Sequence, residues 1–196
     1  MPDSSDSRSL ILASASPYRR ALLERLGVPF EVDAADIDER IADDETPEDA
    51  VMRLAREKAR AVAERHPHAV VIGSDQVAAL GMDILGKPGT EERACEQLVR
   101  VSGQSVRFLT AVSVRQGDIE EPLLETVQVR FRALDTETIE RYVRTDRPLD
   151  CAGAIRSEGL GAALLESVES RDPSALIGLP LIGVAQLLRR RGFRLP

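Results

Sequence analysis

The stretch SASPYRR, residues 14 to 20, places two serines, an aromatic ring and two adjacent arginines between an apolar run, LILA, and an amphipathic segment, ALLERLG. Where a strand passes into a helix, the first backbone N–H groups of the helix are unpaired and the helix dipole is positive. Such a junction is a natural site for an anion. The stretch therefore predicts a phosphate-binding site.

Lysine is scarce in this chain, because only Lys58 and Lys87 among the 26 basic residues are lysine. Codon bias toward arginine is one explanation. The alternative is that the chemistry requires a compact ammonium at these two positions, since a planar guanidinium presents its charge with a different geometry. The sequence leaves both explanations open.

Carboxylates supply the remaining chemistry, and Asp75 carries the clearest signal. It ends a strongly apolar strand, AVVIGSD, where an unused carboxylate would be costly. Glu39 lies in an acidic stretch, DIDERIADDETPED, and indicates less by itself. The run GMDILGK, residues 81 to 87, fits the phosphate-binding loop of nucleoside triphosphatases, but Pro88 lacks the hydroxyl and the N–H that the motif needs after its lysine. We therefore reject that loop.

The elements that must position these side chains alternate between strand and helix. Apolar and β-branched runs predict strands in SLILA (9 to 13), FEVDAA and AVVIGSD, a hairpin of QVAAL with ILGKP, and two long antiparallel strands, SVRFLTAVSVRQG and LLETVQVRFRAL. Amphipathic runs predict helices in SPYRRALLERLG, PEDAVMRLAREKARAVAERH, EERACEQLVRVSG, DTETIERYVRT and PLIGVAQLLRRRG. We expect Ser16 and Thr90 to cap the first and third helices, and Gly73 to mark a bulge or a close approach to a ligand. The segment PLDCAGAIRSEGLGAALLESVES is predicted to be irregular.

Composition excludes several classes of protein. The net charge of -7 argues against a nucleic-acid surface, which needs a basic stripe. Two cysteines and two histidines provide neither a disulfide framework nor a zinc cluster. The longest apolar stretch, ALIGLPLIGVAQLL, is too short and too interrupted to span a bilayer, so neither a membrane nor a nucleic acid is an expected partner. We expect a cytoplasmic protein with one domain, residues 1–196, in which residues 1–8 form a polar tail.

In order and spacing, LILASASPYRRALLERLG, DIDE, RLAREKARAVA, VIGSDQV, GKP, SGQSVRFLTAVSV, YVRTDRPLDCAGAIRSEGLG and RDPSALIGLPL resemble the Maf family of nucleoside triphosphate pyrophosphatases, from about residue 9 to residue 192. The resemblance implies an α/β fold similar to inosine triphosphatases, with a mixed sheet flanked by helices and two lobes around a central cleft. It also implies a small-molecule nucleoside triphosphate as substrate, a divalent metal, Mg²⁺ or Mn²⁺, and cleavage between the α- and β-phosphates.

The resemblance assigns roles to residues of this chain. Asp75, Glu39, Lys58 and Lys87 are the expected catalytic residues, with Asp75 as proton acceptor and Glu39 and Asp75 as metal ligands. Ser14, Arg19 and Arg20 are expected to hold phosphate oxygens, because several cations must neutralise a triphosphate. How Asp75 divides its carboxylate between metal ligation and base catalysis stays open.

Three short motifs, GSDQ, CAG and SEG, resemble the branch of the family that acts on 7-methyl-GTP rather than the branch that acts on dTTP and UTP. In that branch Tyr18, Gln76 and Glu158 are expected to discriminate the base. Strand alternation should turn Gln76 away from Asp75, so we expect either a bulge near Gly73 or an indirect role for Gln76. A dTTP or UTP pyrophosphatase and a non-catalytic nucleotide-binding regulator of septum formation remain alternatives, and a homodimer is left open.

Overall fold

Seven strands form one mixed sheet in the computed structural model, which describes residues 8–42 and 44–196. The strands are Leu10–Leu12 (β1), Glu31–Val32 (β2), Val70–Leu80 (β3), Asp83–Leu85 (β4), Ser105–Gln116 (β5), Ile119–Phe131 (β6) and Leu165–Glu169 (β7). Their order is β2-β1-β3-β5-β6-β7, with β4 also paired to β3. β1 is parallel to β2 and β3, and the other pairs are antiparallel, so the predicted mixed sheet is confirmed.

Five α-helices flank the sheet: Pro17–Glu24 (α1), Pro47–Ala63 (α2), Glu91–Val101 (α3), Thr136–Asp146 (α4) and Leu181–Arg190 (α5). The predicted caps are confirmed, because the side chain of Ser16 accepts the Arg19 N–H and that of Thr90 accepts the Arg93 N–H. Such a cap satisfies one of the unpaired donors at a helix start. Three short 3-10 helices, Ala152–Ala154, Leu160–Leu164 and Pro173–Ile177, follow α4.

The apolar core forms two lobes at the two ends of the long strands. In the first lobe, α1 and α5 pack on one face of β1, β3 and β5, while α2 covers the other face. In the second lobe, α3, α4 and the 3-10 helix Ala152–Ala154 pack on β5 and β6. Both lobes are built on β3, β5 and β6, so the chain has the predicted architecture of two lobes that share a sheet.

Gly73 corrects one expectation. The pairing of β3 with β5 is regular from Val71 to Ala79, so there is no bulge at this glycine. A Cβ at Gly73 would lie 2.2 Å from the carbonyl oxygen of Ala55 and 2.5 Å from the backbone nitrogen of Ala59, both in α2. The close approach is therefore to a helix and not to a ligand. Glycine at this position lets α2 lie directly on the sheet.

A gap along one edge of β3 separates the lobes. On that edge, β1 pairs with β3 only as far as Leu12 opposite Ile72, and β4 begins to pair at Ala78. Within residues 8–42 and 44–196, no strand pairs with this edge between those two points. A cleft can therefore open here in the middle of the sheet.

The segment predicted as irregular contains β7, an edge strand in which four of five residues are exposed and two are glutamates, so it lacks the buried apolar pattern that indicates a strand. The predicted polar tail, residues 1–8, lies outside the described residues except for Arg8. In the ranges that the structure describes, no helix combines the length and the apolar character needed to cross a membrane.

Candidate active site

A cavity of about 480 Å³ opens at the gap in the edge of β3, a volume within the range of small-molecule sites. Both lobes contribute to its walls. Nine of the ten predicted site residues line it: Ser14, Tyr18, Arg19, Glu39, Lys58, Asp75, Gln76, Lys87 and Glu158. The structure thus brings together residues that are scattered over most of the sequence.

Arg20 is the predicted residue that the structure does not bring to the cavity. Its side chain is exposed and its Nε donates to Glu24, 3.0 Å away and one turn along α1. Successive helical side chains point about 100° apart, so the helix that turns Arg19 inward turns Arg20 outward. The expected phosphate contact of Arg20 has no support in this geometry.

Lys58, Asp75 and Glu39 form a charge cluster in which Lys58 and Asp75 are buried and the Glu39 side chain is about half exposed. The odd-numbered residues of β3 face α2, and Lys58 lies on the side of α2 that faces β3. Lys58 Nζ lies 2.7 Å from Asp75 Oδ1 and 2.7 Å from Glu39 Oε1. Lys58 is 6% exposed and Asp75 is 8% exposed. Because so little water reaches them, each of these two charges depends on its partner and not on solvent for stabilisation.

The charge on Glu39 is set by its neighbours. Burial raises the pKa of its carboxyl, but the hydrogen bond and charge of Lys58, with the charges of Lys87 and Arg19, outweigh burial and bring the pKa below the ordinary value. Glu39 is therefore ionised at neutral pH. Arg19, Lys58 and Lys87 line the same cavity as Glu39, and we call these three residues the cation cluster.

Arg19 differs from Lys58 in its partners. Its Nε donates to the Gly178 carbonyl at 3.1 Å and its Nη1 donates to Ser14 Oγ at 3.3 Å. Among the described residues, no carboxylate lies within ion-pairing distance of its guanidinium. Burial lowers the pKa of Arg19, while the charges of Asp75 and Glu39 act in the opposite direction. A guanidinium held only by neutral acceptors keeps donors for an anion.

A second group of side chains, Tyr18, Asp150, Cys151 and Glu158, lines another part of the cavity, and we call it the Tyr18 cluster. The Tyr18 hydroxyl lies 4.0 Å from Cys151 Sγ. Burial, with the negative charge of Asp150, raises the pKa of both the Tyr18 hydroxyl and the Cys151 thiol to about 12, so both groups are neutral. Asp150 was not predicted as a site residue, although it lies within the quoted segment YVRTDRPLDCAGAIRSEGLG.

Gln76 reaches the cavity from the opposite face of the sheet to Asp75. Both line the cavity because the free edge of β3 exposes its two faces, and not because the strand bulges. The side-chain amide of Gln76 donates to Thr110 Oγ1 at 2.9 Å and to the Ala175 carbonyl at 2.8 Å. Since a carbonyl only accepts, the amide nitrogen is fixed on this side. Sequence reasoning missed Thr110 as its partner.

The carboxylates of Glu39 and Asp75 are the groups that could hold a divalent metal. Both lie within hydrogen-bond distance of one nitrogen, so their oxygens are close together. Carboxylate oxygens suit Mg²⁺ and Mn²⁺, which commonly take two carboxylates together with phosphate oxygens and water. No set of three or more His, Cys, Asp or Glu side chains suited to a metal occurs among the described residues.

Comparison with known proteins places the chain in a family. Residues 9–191 match the family model described as Maf-like protein. The chain is 55% identical over 193 residues to the 7-methyl-GTP pyrophosphatase of Alkalilimnicola ehrlichii, covering 95% of this chain and 94% of that protein. It is 53% identical over 191 residues to the protein of the same name from a Polaromonas species, covering 96% and 87%. The solved Ham1 protein of Staphylococcus aureus aligns with 63% of this chain and 72% of its own, with a TM-score of 0.47 and 16% identity. On the strength of the family model and the close relatives, this chain is a member of the Maf family.

Proposed function

We propose that this protein hydrolyses 7-methyl-GTP to 7-methyl-GMP and pyrophosphate. The observation that carries the proposal is the division of charge in the cavity between the cation cluster and the Tyr18 cluster. A triphosphate is strongly anionic, whereas methylation at the imidazole nitrogen makes the guanine ring cationic. The charges of the substrate are therefore complementary to those of the cavity, with the triphosphate matching the cation cluster and the methylated base matching the Tyr18 cluster. The names of the curated relatives support the same substrate.

The Tyr18 cluster suits a cationic base. An aromatic face stacked on a cationic ring gains a cation–π interaction of about 0.5 to 2 kcal/mol that unmodified guanine lacks. Asp150 and Glu158 add negative charge, and a carboxylate accepts two N–H groups from the edge of guanine. Arg156, which lies near the Tyr18 cluster, forms ion pairs with Asp146 and Glu158 and does not line the cavity.

In the proposed reaction, Asp75 accepts the proton of a water molecule whose oxygen attacks the α-phosphorus. The bond from that phosphorus to the oxygen bridging the α- and β-phosphates breaks, and this oxygen leaves with pyrophosphate. Lys58 donates to Asp75 Oδ1, which leaves Oδ2 to accept the water proton. Arg19, Lys58 and Lys87 hold the phosphates in line and neutralise charge that develops on the leaving group.

Glu39 and Asp75 would hold the proposed divalent metal, Mg²⁺ or Mn²⁺. When bound, the metal neutralises phosphate charge and polarises the phosphoryl group. Lys58 binds the same two carboxylates, so it also keeps them together when no metal neutralises them. The role of this lysine in the protein alone is thus to hold two like charges in one place.

The test is a panel of 7-methyl-GTP, GTP, dTTP and UTP, assayed with Mg²⁺ and with Mn²⁺ for release of pyrophosphate and monophosphate. We expect both products in equal amounts and the highest kcat/KM for 7-methyl-GTP. Equal use of GTP would contradict the base assignment, and preference for dTTP or UTP would place the activity in the sister branch. Binding without turnover would support a non-catalytic regulator.

Four further properties stay predictions from the sequence: the cytoplasmic location, the absence of nucleic-acid and membrane partners, the homodimer, and the single domain over residues 1–196.

A further inference from the structure

Asp172 is a buried carboxylate, 3% exposed, that lies outside the cavity. Its Oδ1 accepts from the backbone N–H of Ser174 at 3.3 Å and from the Ser174 hydroxyl at 2.5 Å. Its Oδ2 accepts from the backbone N–H of Ile182 at 2.7 Å. One carboxylate thus joins the start of the 3-10 helix Pro173–Ile177 to the first turn of α5.

This arrangement replaces an ordinary helix cap. Pro180 occupies the cap position of α5 and has no side chain that could accept. Ser174 Oγ accepts the Leu181 N–H at 2.8 Å, and Asp172 accepts the next N–H groups, so the capping groups of α5 lie seven to eleven residues before the N–H groups that they accept. The segment between the cap and the helix, residues 173–180, is closed into a loop.

The loop presents its backbone carbonyls to the cavity residues. Gly178 O accepts from Arg19 Nε at 3.1 Å and from the Ser74 hydroxyl at 3.4 Å. Ala175 O accepts from Gln76 at 2.8 Å and from Thr110 at 2.9 Å. A residue of the cation cluster and a residue expected to read the base are therefore held by the same loop.

Gly178 shows how closely the loop fits Arg19. Its φ of 133° lies in a region that side chains rarely adopt, and a Cβ there would lie 3.6 Å from Arg19 Cγ. The carbonyl of Gly178 is also one of two acceptors for the guanidinium, so a shift of the loop moves the direction of the free donors of Arg19.

We propose that Asp172 is a positioning residue: by closing the loop 173–180 it sets the orientation of Arg19 toward phosphate and of Gln76 toward the base. The inference rests on the proposed function for its substrate. It differs from the view of Asp172 as a helix cap only, because a cap alone would change stability and leave substrate affinity unchanged.

The experiment compares Asp172→Asn with Asp135→Ala, because alanine removes the capping oxygen whereas asparagine would keep it. Asp135 caps α4 by accepting the Thr138 N–H at 2.7 Å, and it does not line the cavity, so its variant loses a helix cap without touching the loop. In Asp172→Asn an amide nitrogen replaces one of the two accepting oxygens and faces an N–H donor. Thermal midpoints, KM and kcat for 7-methyl-GTP, and the affinity for inorganic tripolyphosphate are measured at a temperature where both variants are folded.

We expect both variants to lose stability, but only Asp172→Asn to raise KM and to weaken tripolyphosphate binding, each by about tenfold. Combining Asp172→Asn with Gln76→Ala should raise KM by less than the product of the two single effects, because the contact of Gln76 with the Ala175 carbonyl is one of the two contacts through which Asp172 acts. If Asp172→Asn does not fold, Ser174→Ala, which removes the acceptor for Leu181, serves in its place.

Equal affinity and kinetics in the two cap variants would overturn the proposal. If the unmodified protein does not turn over 7-methyl-GTP, the proposed function fails, but tripolyphosphate binding still decides whether Asp172 positions Arg19. The two failures are therefore distinguishable.

Discussion

The ammonium nitrogen of Lys58 lies 2.7 Å from Oδ1 of Asp75, and both side chains are almost wholly buried. The pair joins α2 to the centre of β3 directly below the cavity. Loss of the Lys58 ammonium leaves the buried Asp75 carboxylate without its counterion, which is more costly than the loss of an exposed ion pair, whereas Asp75→Asn leaves Lys58 paired with Glu39. Chemistry and stability are therefore linked at these two residues.

Asp75→Asn should abolish turnover and leave the fold intact. The amide is nearly the same shape as the carboxylate but accepts no proton, and loss of a general base lowers kcat by about a hundredfold to ten-thousandfold. Pyrophosphate release and circular dichroism check the two parts. Asp118→Asn, in the exposed turn between β5 and β6, is the control. Activity above about a tenth of the unmodified protein's would contradict the role given to Asp75.

The pKa of Glu39 should rise when Lys58 is replaced by methionine. Lys58 is the main group that lowers this pKa, and without it burial pushes the value upward. A carbon-13 NMR titration of the Glu39 carboxyl should give a midpoint below the ordinary 4.5 in the unmodified protein and a higher one in Lys58→Met. Lys87→Met should move the midpoint less. An unchanged midpoint in Lys58→Met would show that Lys58 does not hold Glu39 in solution.

The same shift gives the sign of the pH dependence of stability. Because the folded pKa of Glu39 is lowered, its contribution is fully present above the unfolded pKa and is lost as pH falls through the folded pKa. In Lys58→Met that contribution should be smaller.

Lys87→Arg should lower kcat/KM by more than about tenfold although the charge is conserved. Lys87 lines the cavity beside Glu39, and a planar guanidinium places its donors farther out than an ammonium does. The control is Arg60→Lys, on the exposed side of α2, which should leave the kinetics unchanged. Normal kinetics for Lys87→Arg would favour codon bias as the reason why lysine is scarce in this chain.

Tyr18→Ala and Glu158→Gln should each reduce the preference for 7-methyl-GTP over GTP. Removal of the aromatic face should reduce the ratio of the two kcat/KM values by about twofold to thirtyfold, the equivalent of about 0.5 to 2 kcal/mol. Because both substrates carry the same triphosphate, the ratio cancels effects on the cation cluster. A ratio that neither substitution changes would remove Tyr18 and Glu158 from base recognition.

Gly73→Ala should destabilise the protein by about 1 to 3 kcal/mol, because the added methyl group would collide with the Ala55 carbonyl and push α2 away from the sheet. The free energy of unfolding in urea measures the effect. The matched control is Gly86→Ala, since a Cβ at Gly86 meets nothing within 4 Å and its φ is not positive. Equal stability of the two variants would mean that α2 yields to the methyl group without cost.

The sequence predicted the elements well where the apolar pattern was strong. The five helices, the caps at Ser16 and Thr90 and the two long strands all follow from periodicity and from capping residues that act locally. The strand β7 was missed because none of its five residues is buried and four are exposed, so it shows no alternating apolar face. Local patterns contain no information about an edge strand of that kind.

The candidate site was predicted less evenly. Residue types together with the family resemblance identified nine residues that line the cavity, all of them polar or charged. Arg20 was also included, but helix geometry turns it away from the side on which Arg19 lies. Asp172 was missed because its partners are mainly backbone N–H groups, which no residue type indicates, and the carbonyl of Gly178 was missed because its partner Arg19 lies 159 residues away in sequence. Gln76 and Asp75 line one cavity from opposite faces of the sheet because of the gap along the edge of β3. That gap depends on where β1 and β4 stop pairing with β3, which local sequence patterns do not show.

Three strands, β3, β5 and β6, run unbroken from one lobe to the other beneath the cleft. Because these strands connect the lobes directly, the cleft widens or narrows by bending a continuous hydrogen-bonded ladder. Heat that melts one lobe would remove the strand partners on which the other depends, so the two lobes should unfold as one cooperative unit. A nucleotide that contacts both walls would then protect the whole chain from unfolding, including segments far from the ligand.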